Sequence, residues 1–204
     1  MATILGLDVS TKTGWSLCES DSSGCRLVSY GLLQSIGRPK DMAYPEDYLQ
    51  WALENARLII NKIEETKPDI IVIEETTKSQ NSFSQKILEW THLYVATCLV
   101  EKKLSVKYFM TGEWRVLVEA KMTKEEKKKN ALVRKLKAAS GSVVAKDETG
   151  KRIGITGKKH VNVRRANEIF GLSLKQKDND IADALLLNQA FWEFTYNKKP
   201  TANE

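Results

Sequence analysis

The chain has 204 residues, of which 42% are hydrophobic and 28% charged, and its 32 Lys and Arg outnumber 26 Asp and Glu. This length and balance are typical of one folded domain with elaborations and exclude a disordered or collagen-like chain. No apolar run approaches the ~20 residues of a membrane-spanning helix and the first ten residues lack the basic flank of a secretory signal, so we expect a cytoplasmic protein without a membrane partner.

The first third of the chain is predicted to form strands around one long helix. Three antiparallel strands are predicted from apolar, β-branched segments between turn residues, with Thr13-Gly14 taken as the turn before the second: 3–8, 15–19 and 25–34. Apolar residues then recur at helical spacing from about 46 to 66, and the helix ends before Pro68 because the preceding residue avoids the α conformation. The continuous apolar run 69–73 predicts a strand buried on both faces, as in a parallel pair.

The rest of the chain alternates between helix and strand. After a polar loop at 79–84 that carries Phe83, the predicted elements are a helix at about 85–102, a strand at 104–110, helices at 111–119 and 121–139, a β-hairpin at 142–155, and helices at 160–170 and 180–194. This order predicts an α/β fold with a mixed sheet. We expect a single domain over 1–204, with a basic insertion at about 111–160 and a flexible tail at about 197–204.

The basic charge is concentrated in one part of the chain. Residues 102–175 hold 20 Lys and Arg against 7 Asp and Glu, a net charge of +13, whereas the remainder holds 12 against 19, a net charge of −7. A basic segment joined to an acidic remainder favours a polyanionic partner, although a lysine-rich helix can also be a solvated face.

Four acidic residues stand beside apolar segments. Asp8 ends the first predicted strand, Glu74 follows the buried strand, and Asp180 and Asp183 share one face of the last helix. Carboxylates near a core are costly unless a cation neutralises them, and oxygen ligands suit Mg²⁺ or Mn²⁺. Four carboxylates match the charge of two divalent ions, which together can support phosphodiester hydrolysis. These residues therefore predict a metal-dependent nuclease.

Each acidic residue also has an ordinary structural explanation. Asp8 could cap a turn with Ser10, Glu74 could lean into solvent from a strand end, and Asp180 and Asp183 could cap a helix and complement its dipole. The three cysteines and two histidines lack the spacing of a zinc site or a disulfide framework. The occurrence of all four acids in one α/β chain favours the metal-binding interpretation.

Three segments carry a resemblance to a known family: ILGLDVS at 4–10 with TGW at 13–15, PDIIVIEE at 68–75, and DIADAL at 180–185. In order and spacing they resemble the acidic motifs of RuvC-type Holliday junction resolvases, which belong to the RNase H-like superfamily. The resemblance covers roughly residues 2–110 and 160–190. The longer charged region between them looks more like the bacteriophage-encoded branch of the family.

The resemblance implies a homodimeric, Mg²⁺-dependent endonuclease that cuts four-way DNA junctions and leaves 5′-phosphate and 3′-hydroxyl ends. It implies an RNase H-like mixed five-stranded sheet, antiparallel over strands 1–3 and then parallel, flanked by helices and elaborated by a basic helix and a β-hairpin. It assigns Asp8, Glu74, Asp180 and Asp183 as catalytic ligands of two Mg²⁺ ions, with Mn²⁺ able to substitute and no organic cofactor. Glu75 is expected to point away from Glu74, because strand side chains alternate.

Nine residues are predicted to contact DNA. Basic side chains at this density bind phosphates without reading bases, so binding is expected to weaken as salt rises. Phe83 is included because an aromatic residue in this region stacks at the junction centre in the family, although it could instead anchor the following helix in the core. Lys158 and Lys159 are candidates for a phosphate contact beside the metals, or for a solvated turn. The nine are Phe83, Lys121, Lys124, Lys128, Lys151, Arg152, Lys158, Lys159 and Arg164.

Three other functions use features of the same sequence. A ribonuclease of the RNase H-like superfamily is compatible, because the metal centre alone does not choose DNA over RNA. ATP-binding proteins of the actin-like and sugar-kinase superfamily begin with a similar strand and turn, but they need a second glycine-rich phosphate motif and an adenosine loop, which this chain lacks. A non-catalytic DNA-binding module would have no use for four clustered acids.

Overall fold

The computed structural model describes residues 1–75, 82–140, 144–146, 149 and 151–197, and a five-stranded mixed sheet forms its centre. The strands are β1 (Ala2–Asp8), β2 (Lys12–Asp21), β3 (Gly24–Gln34), β4 (Ile70–Glu74) and β5 (Val106–Phe109). Their order across the sheet is β3-β2-β1-β4-β5, with antiparallel pairing from β3 to β1 and parallel pairing from β1 to β5. This arrangement confirms the predicted sheet.

The described residues form six α-helices, and a small second sheet lies in the basic insertion. The helices are α1 (Glu46–Thr66), α2 (Ser82–Glu101), α3 (Thr111–Leu117), α4 (Lys124–Ser140), α5 (Lys158–Phe170) and α6 (Asn179–Tyr196). The strands β6 (Ala145–Lys146) and β7 (Arg152–Ile153) pair antiparallel as the predicted hairpin, with two residues each. None of the helices in the described part of the chain is long and apolar enough to cross a membrane.

The central strands are buried on both faces, as the run 69–73 predicts. Leu5 and Ile71 point to one side, where they pack with residues of α1 and α2, whereas Ile4 and Val72 point to the other side, where they pack with residues of α3, α5 and α6. The sheet therefore separates two apolar cores. The helix α6 covers one face of the sheet at its centre.

Some element boundaries differ from the sequence prediction for identifiable reasons. The strand β2 begins at Lys12, so Gly14 lies inside a strand and is not the turn residue that we expected. The helix α4 begins at Lys124, three residues late, because Thr123 and Glu126 form a reciprocal capping box: the Thr123 N–H donates to Glu126 Oε2 at 2.7 Å, and the Glu126 N–H donates to Thr123 Oγ1 at 3.1 Å.

The position of Phe83 also differs from the prediction. The residue is the second of α2 and not part of the preceding loop, of which residues 79–81 lie outside the described residues. Its side chain is 58% exposed, and its ring centroid lies 6.0 Å from that of Tyr48, with the two rings tilted relative to each other. Phe83 therefore does not anchor α2 in the core.

The basic insertion is fastened to the domain by polar contacts. Asn130 is buried on α4, and its amide donates to the Thr156 carbonyl at 2.9 Å while its carbonyl accepts from the Thr156 N–H at 2.8 Å. Arg164 on α5 pairs with Glu126 and donates to the Lys121 carbonyl at 2.9 Å. These contacts fix the segment that leads into α5, where Lys158 and Lys159 lie.

Candidate active site

Asp8 and Glu74 leave the sheet at the same edge. They end β1 and β4, two neighbouring parallel strands whose preceding residues, Leu7 and Ile73, are partners in the register. Because the carboxyl ends of parallel strands meet at one edge, the two carboxylates are brought together although 66 residues separate them in the chain.

The helix α6 lies directly against β2, because glycine leaves room for its backbone. Gly14 is the partner of Asp8 in the sheet, and a Cβ added at Gly14 would lie only 1.9 Å from the Asp180 carbonyl oxygen. Farther along the helix, Ser16 Oγ donates to the Ala184 carbonyl at 2.9 Å, and the buried Asn188 amide donates to Ser16 Oγ at 2.9 Å. These contacts set the first two turns of α6 over the end of β1.

Three of the four acids identified from the sequence have raised pKa values. Burial raises the pKa of Asp8 well above its ordinary value, and the charges of Asp183, Glu74 and Asp180 add to the increase. Burial raises the pKa of Asp183 to about 7, against the opposing hydrogen bond from Asn162. Burial also raises the pKa of Asp180. The cluster therefore carries more negative charge than its surroundings neutralise.

Three of the acids are engaged by neighbouring donors. Thr111 Oγ1 donates to Glu74, the Asn162 amide donates to Asp183 Oδ1 at 2.6 Å, and the Asn179 amide donates to Asp180. In the described part of the chain, no three Asp, Glu, His or Cys side chains converge closely enough to hold a metal ion in these conformations.

The donor set nonetheless fits divalent cations by its chemistry. All four groups offer hard oxygen ligands, and the raised pKa values of Asp8, Asp180 and Asp183 show that burial disfavours their ionised forms, which a cation would stabilise. Asp8, Glu74 and Asp180 are partly exposed, so their side chains have room to rotate toward an ion, whereas Asp183 is 8% exposed and held by its amide partner.

Basic side chains flank the carboxylates on more than one side. Lys159, at the start of α5, opposes the raised pKa of both Asp8 and Asp180, and Lys12 opposes that of Asp180. Arg115 on α3 opposes the raised pKa of Asp183. A cavity of about 270 Å³ lies beside the cluster; its lining includes Thr111, Arg115, Lys158 and Asn162.

The nine residues predicted to contact DNA fall into separate groups. Lys158 and Lys159 are exposed at the start of α5, next to the carboxylates. Exposed positions on or before α4 and on the hairpin are occupied by Lys121, Lys124, Lys128, Lys151 and Arg152. Phe83 lies on the opposite face of the sheet from α6, with α1 and α2. Arg164 differs from the others because its guanidinium pairs with Glu126 and Glu168.

No protein-family model and no curated protein matches the sequence. Solved structures superpose on almost the whole chain. RuvC of T. thermophilus, in complex with a Holliday junction substrate, covers 94% of both chains with a TM-score of 0.60 and 11% identity. The yeast mitochondrial Holliday junction resolvase covers 95% of this chain and 81% of its own, with a TM-score of 0.52 and 12% identity.

The chain has the RNase H-like fold. This scaffold accounts for the meeting of β1, β4 and α6, but unrelated chemistries can share a fold. The function therefore depends on the residues of the site and not on the fold alone.

Three donors to the carboxylates were not identified from the sequence: Thr111, Asn162 and Asn179. Thr111 follows β5, the next parallel strand, and so emerges at the same edge as Glu74. Asn162 stands between Val161 and Val163 and is 1% exposed. A lone amide among buried valines was a signal that could have identified it, because buried polar groups need partners.

Proposed function

We propose that this chain is a divalent-cation-dependent endonuclease that cuts branched DNA such as four-way junctions. The proposal rests on one observation: Asp8 and Glu74 end neighbouring strands at one edge of the sheet, where α6 also brings Asp180 and Asp183, and the charges of Glu74, Asp180 and Asp183 add to the effect of burial in raising the pKa of Asp8. A site with four coupled carboxylates and flanking lysines favours two cations together with a phosphate. The similarity of the fold to that of RuvC, solved with a Holliday junction substrate, supports the choice of DNA.

In this proposal the four carboxylates hold two Mg²⁺ or Mn²⁺ ions. Such ions would activate water and stabilise the charge that develops on the phosphate. The water oxygen bonds to phosphorus, the bond to the 3′ oxygen breaks, and that oxygen takes up a proton, which leaves 5′-phosphate and 3′-hydroxyl ends. Thr111, Asn162 and Asn179 orient the carboxylates, and Lys159 offers a positive charge to the substrate phosphate.

The basic insertion supplies the surface that holds the DNA. The exposed lysines of α4 and the hairpin bind the backbone without reading sequence, and Lys158 and Lys159 link this surface to the carboxylates. Symmetric cutting of two strands requires two such sites, so the proposal includes a homodimer.

Cleavage of labelled substrates tests the proposal. Four-way, forked, duplex and RNA–DNA hybrid molecules are incubated with and without Mg²⁺; we expect cleavage of the branched DNA only, and only with Mg²⁺. Preferred cleavage of the hybrid would instead support the ribonuclease alternative, and metal-independent cleavage would contradict the proposal.

A pair of neighbouring glutamates offers a matched comparison. Glu74→Gln is expected to abolish cleavage and to retain junction binding. Glu75→Gln is expected to leave both unchanged, because Glu75 is exposed just after the strand. Wild-type cleavage by Glu74→Gln would contradict the assignment of this residue.

A further inference from the structure

The side chain of Asn162 joins α5 to the carboxylate cluster. Its Nδ2 donates to Asp183 Oδ1 at 2.6 Å, and the two side chains are 1% and 8% exposed. A hydrogen bond to an ionised carboxylate is shorter and stronger than one between neutral groups. Asn162 is therefore in direct and well-shielded contact with one of the proposed ligands.

The charge of Asp183 fixes the orientation of this amide. An amide rotated by half a turn would place its oxygen against Asp183 Oδ1, and two acceptors cannot share a contact of this length. In the observed orientation, Asn162 Oδ1 is buried and has no hydrogen-bond partner among the described residues. A buried oxygen without a donor is unfavourable. The amide therefore donates to the carboxylate although this orientation leaves its own oxygen without a donor.

One oxygen of Asp183 is occupied by this contact. Because Oδ1 is bound to Asn162, the plane of the carboxylate is set relative to α5, and Oδ2 is left for a cation. Asn162 itself has little room to move, since Val161 and Val163 on either side are also buried.

We propose that Asn162 is a positioning residue of the metal centre, which holds Asp183 so that one defined oxygen faces the cation. The inference rests on the proposed function, because it requires Asp183 to be a ligand. Partners of metal ligands that act in this way commonly change metal affinity by 10- to 100-fold when they are removed.

Titration calorimetry of the metal-free protein with Mn²⁺ tests this role. Asn162→Leu replaces the amide by an apolar side chain of similar size and so removes the donor. We expect Mn²⁺ to bind to this variant at least about tenfold more weakly than to the wild type. Junction binding in the absence of metal is expected to equal that of the wild type. Unchanged Mn²⁺ affinity in the folded variant would overturn the inference.

Asn55 provides a matched control for the loss of a buried asparagine. It is 3% exposed on α1, and its amide donates only to the Trp51 carbonyl, at 3.0 Å, among the described contacts. Asn55→Leu is expected to bind Mn²⁺ as the wild type does. Equal weakening in both variants would assign the effect to general loss of packing and would overturn the inference.

A second variant and the wild type complete the design. If Asn162→Leu does not fold, Asn162→Ala replaces it with the same expected loss of Mn²⁺ affinity, and wild-type affinity in this variant would overturn the inference. Absence of Mn²⁺ binding by the wild type would refute both this inference and the proposed function. Wild-type binding that is unaffected at position 162 would refute the inference alone.

Discussion

Replacement of Gly14 by alanine is expected to displace the start of α6 and to disable the candidate site. The added Cβ would lie 1.9 Å from the Asp180 carbonyl oxygen, 2.2 Å from its carbon and 2.8 Å from the Ile181 nitrogen. All three are backbone atoms, so no side-chain rotation relieves the overlap. An ordinary contact of 3.4 Å requires the helix or the strand to move by about 1.5 Å.

A movement of this size separates the two halves of the carboxylate cluster. Asp180 and Asp183 travel with α6, whereas Asp8 and Glu74 stay with the sheet. A misplacement of about 1 Å can lower the rate of an enzyme about 100-fold. Overpacking costs roughly 1–3 kcal/mol of stability. We therefore expect Gly14→Ala to fold with a lower melting temperature and to cut at about one hundredth of the wild-type rate.

The assay is single-turnover cleavage of a labelled four-way junction at saturating Mg²⁺, with junction binding measured separately without metal. Gly24→Ala is the control, because a Cβ at Gly24 meets no atom within 4 Å. The control is expected to cut as the wild type does. Wild-type cleavage by folded Gly14→Ala would refute the argument that close packing of α6 assembles the site.

Four further substitutions test charge and stability. Burial raises the pKa of Asp183 to about 7, so ionisation of this group destabilises the metal-free protein as the pH rises from about 4 through 7. Asp183→Asn is expected to raise the unfolding free energy at pH 8 by about 2 kcal/mol in urea titrations, and no gain would contradict the inferred cost of burying this charge. Burial lowers the pKa of His92 to about 4, so the stability that depends on the neutral imidazole is complete above pH 6.5 and is lost as the pH falls toward 4. His92→Gln is therefore expected to reduce the loss of unfolding free energy between pH 7 and 4.5 by about 2 kcal/mol. An unchanged dependence of stability on pH would contradict this assignment. Lys128→Gln is expected to lower the slope of junction affinity against salt concentration by the equivalent of roughly one charge. Arg164→Gln is expected to lower the melting temperature without changing that slope, because Arg164 is paired with Glu126 and Glu168.

The sequence was sufficient to predict the sheet, because its signals there are local. The apolar run 70–73 has no polar residue to face water, which marks a strand buried on both sides, and Glu74 then marks where the strand ends. The spacing of Asp180 and Asp183 within one helical turn was equally readable. Both kinds of signal depend only on the periodicity of neighbouring residues.

The packing of α6 on β2 was not readable from the sequence. Gly14 follows Thr13 and has the local appearance of a turn glycine, but its role is set by the Asp180 backbone, 166 residues away in the chain. The pairing of Asn162 with Asp183 is similarly a contact between two helices. Such contacts depend on the angle and distance between elements, which local periodicity does not encode.

The role of Arg164 shows a related limit of charge patterns. In the sequence it belongs to a basic segment and is equivalent to its neighbours. In the structure it binds Glu126 and the Lys121 carbonyl and so fastens α5 to the start of α4. Net charge predicts that a segment binds a polyanion, but it does not distinguish side chains that face the ligand from those that hold the segment in place.

The division of charge along the chain gives an order to the events at the site. A phosphate that approaches four carboxylates is repelled by their negative charge, and within the protein the pKa values of Asp8 and Asp183 are raised by burial and further by the charges of neighbouring acids. In the proposed function, the exposed lysines of α4 and the hairpin carry no such penalty and would hold DNA at any metal concentration. Retention of DNA and access of its phosphate to the site are thus separate steps, and only the second depends on neutralising the carboxylates.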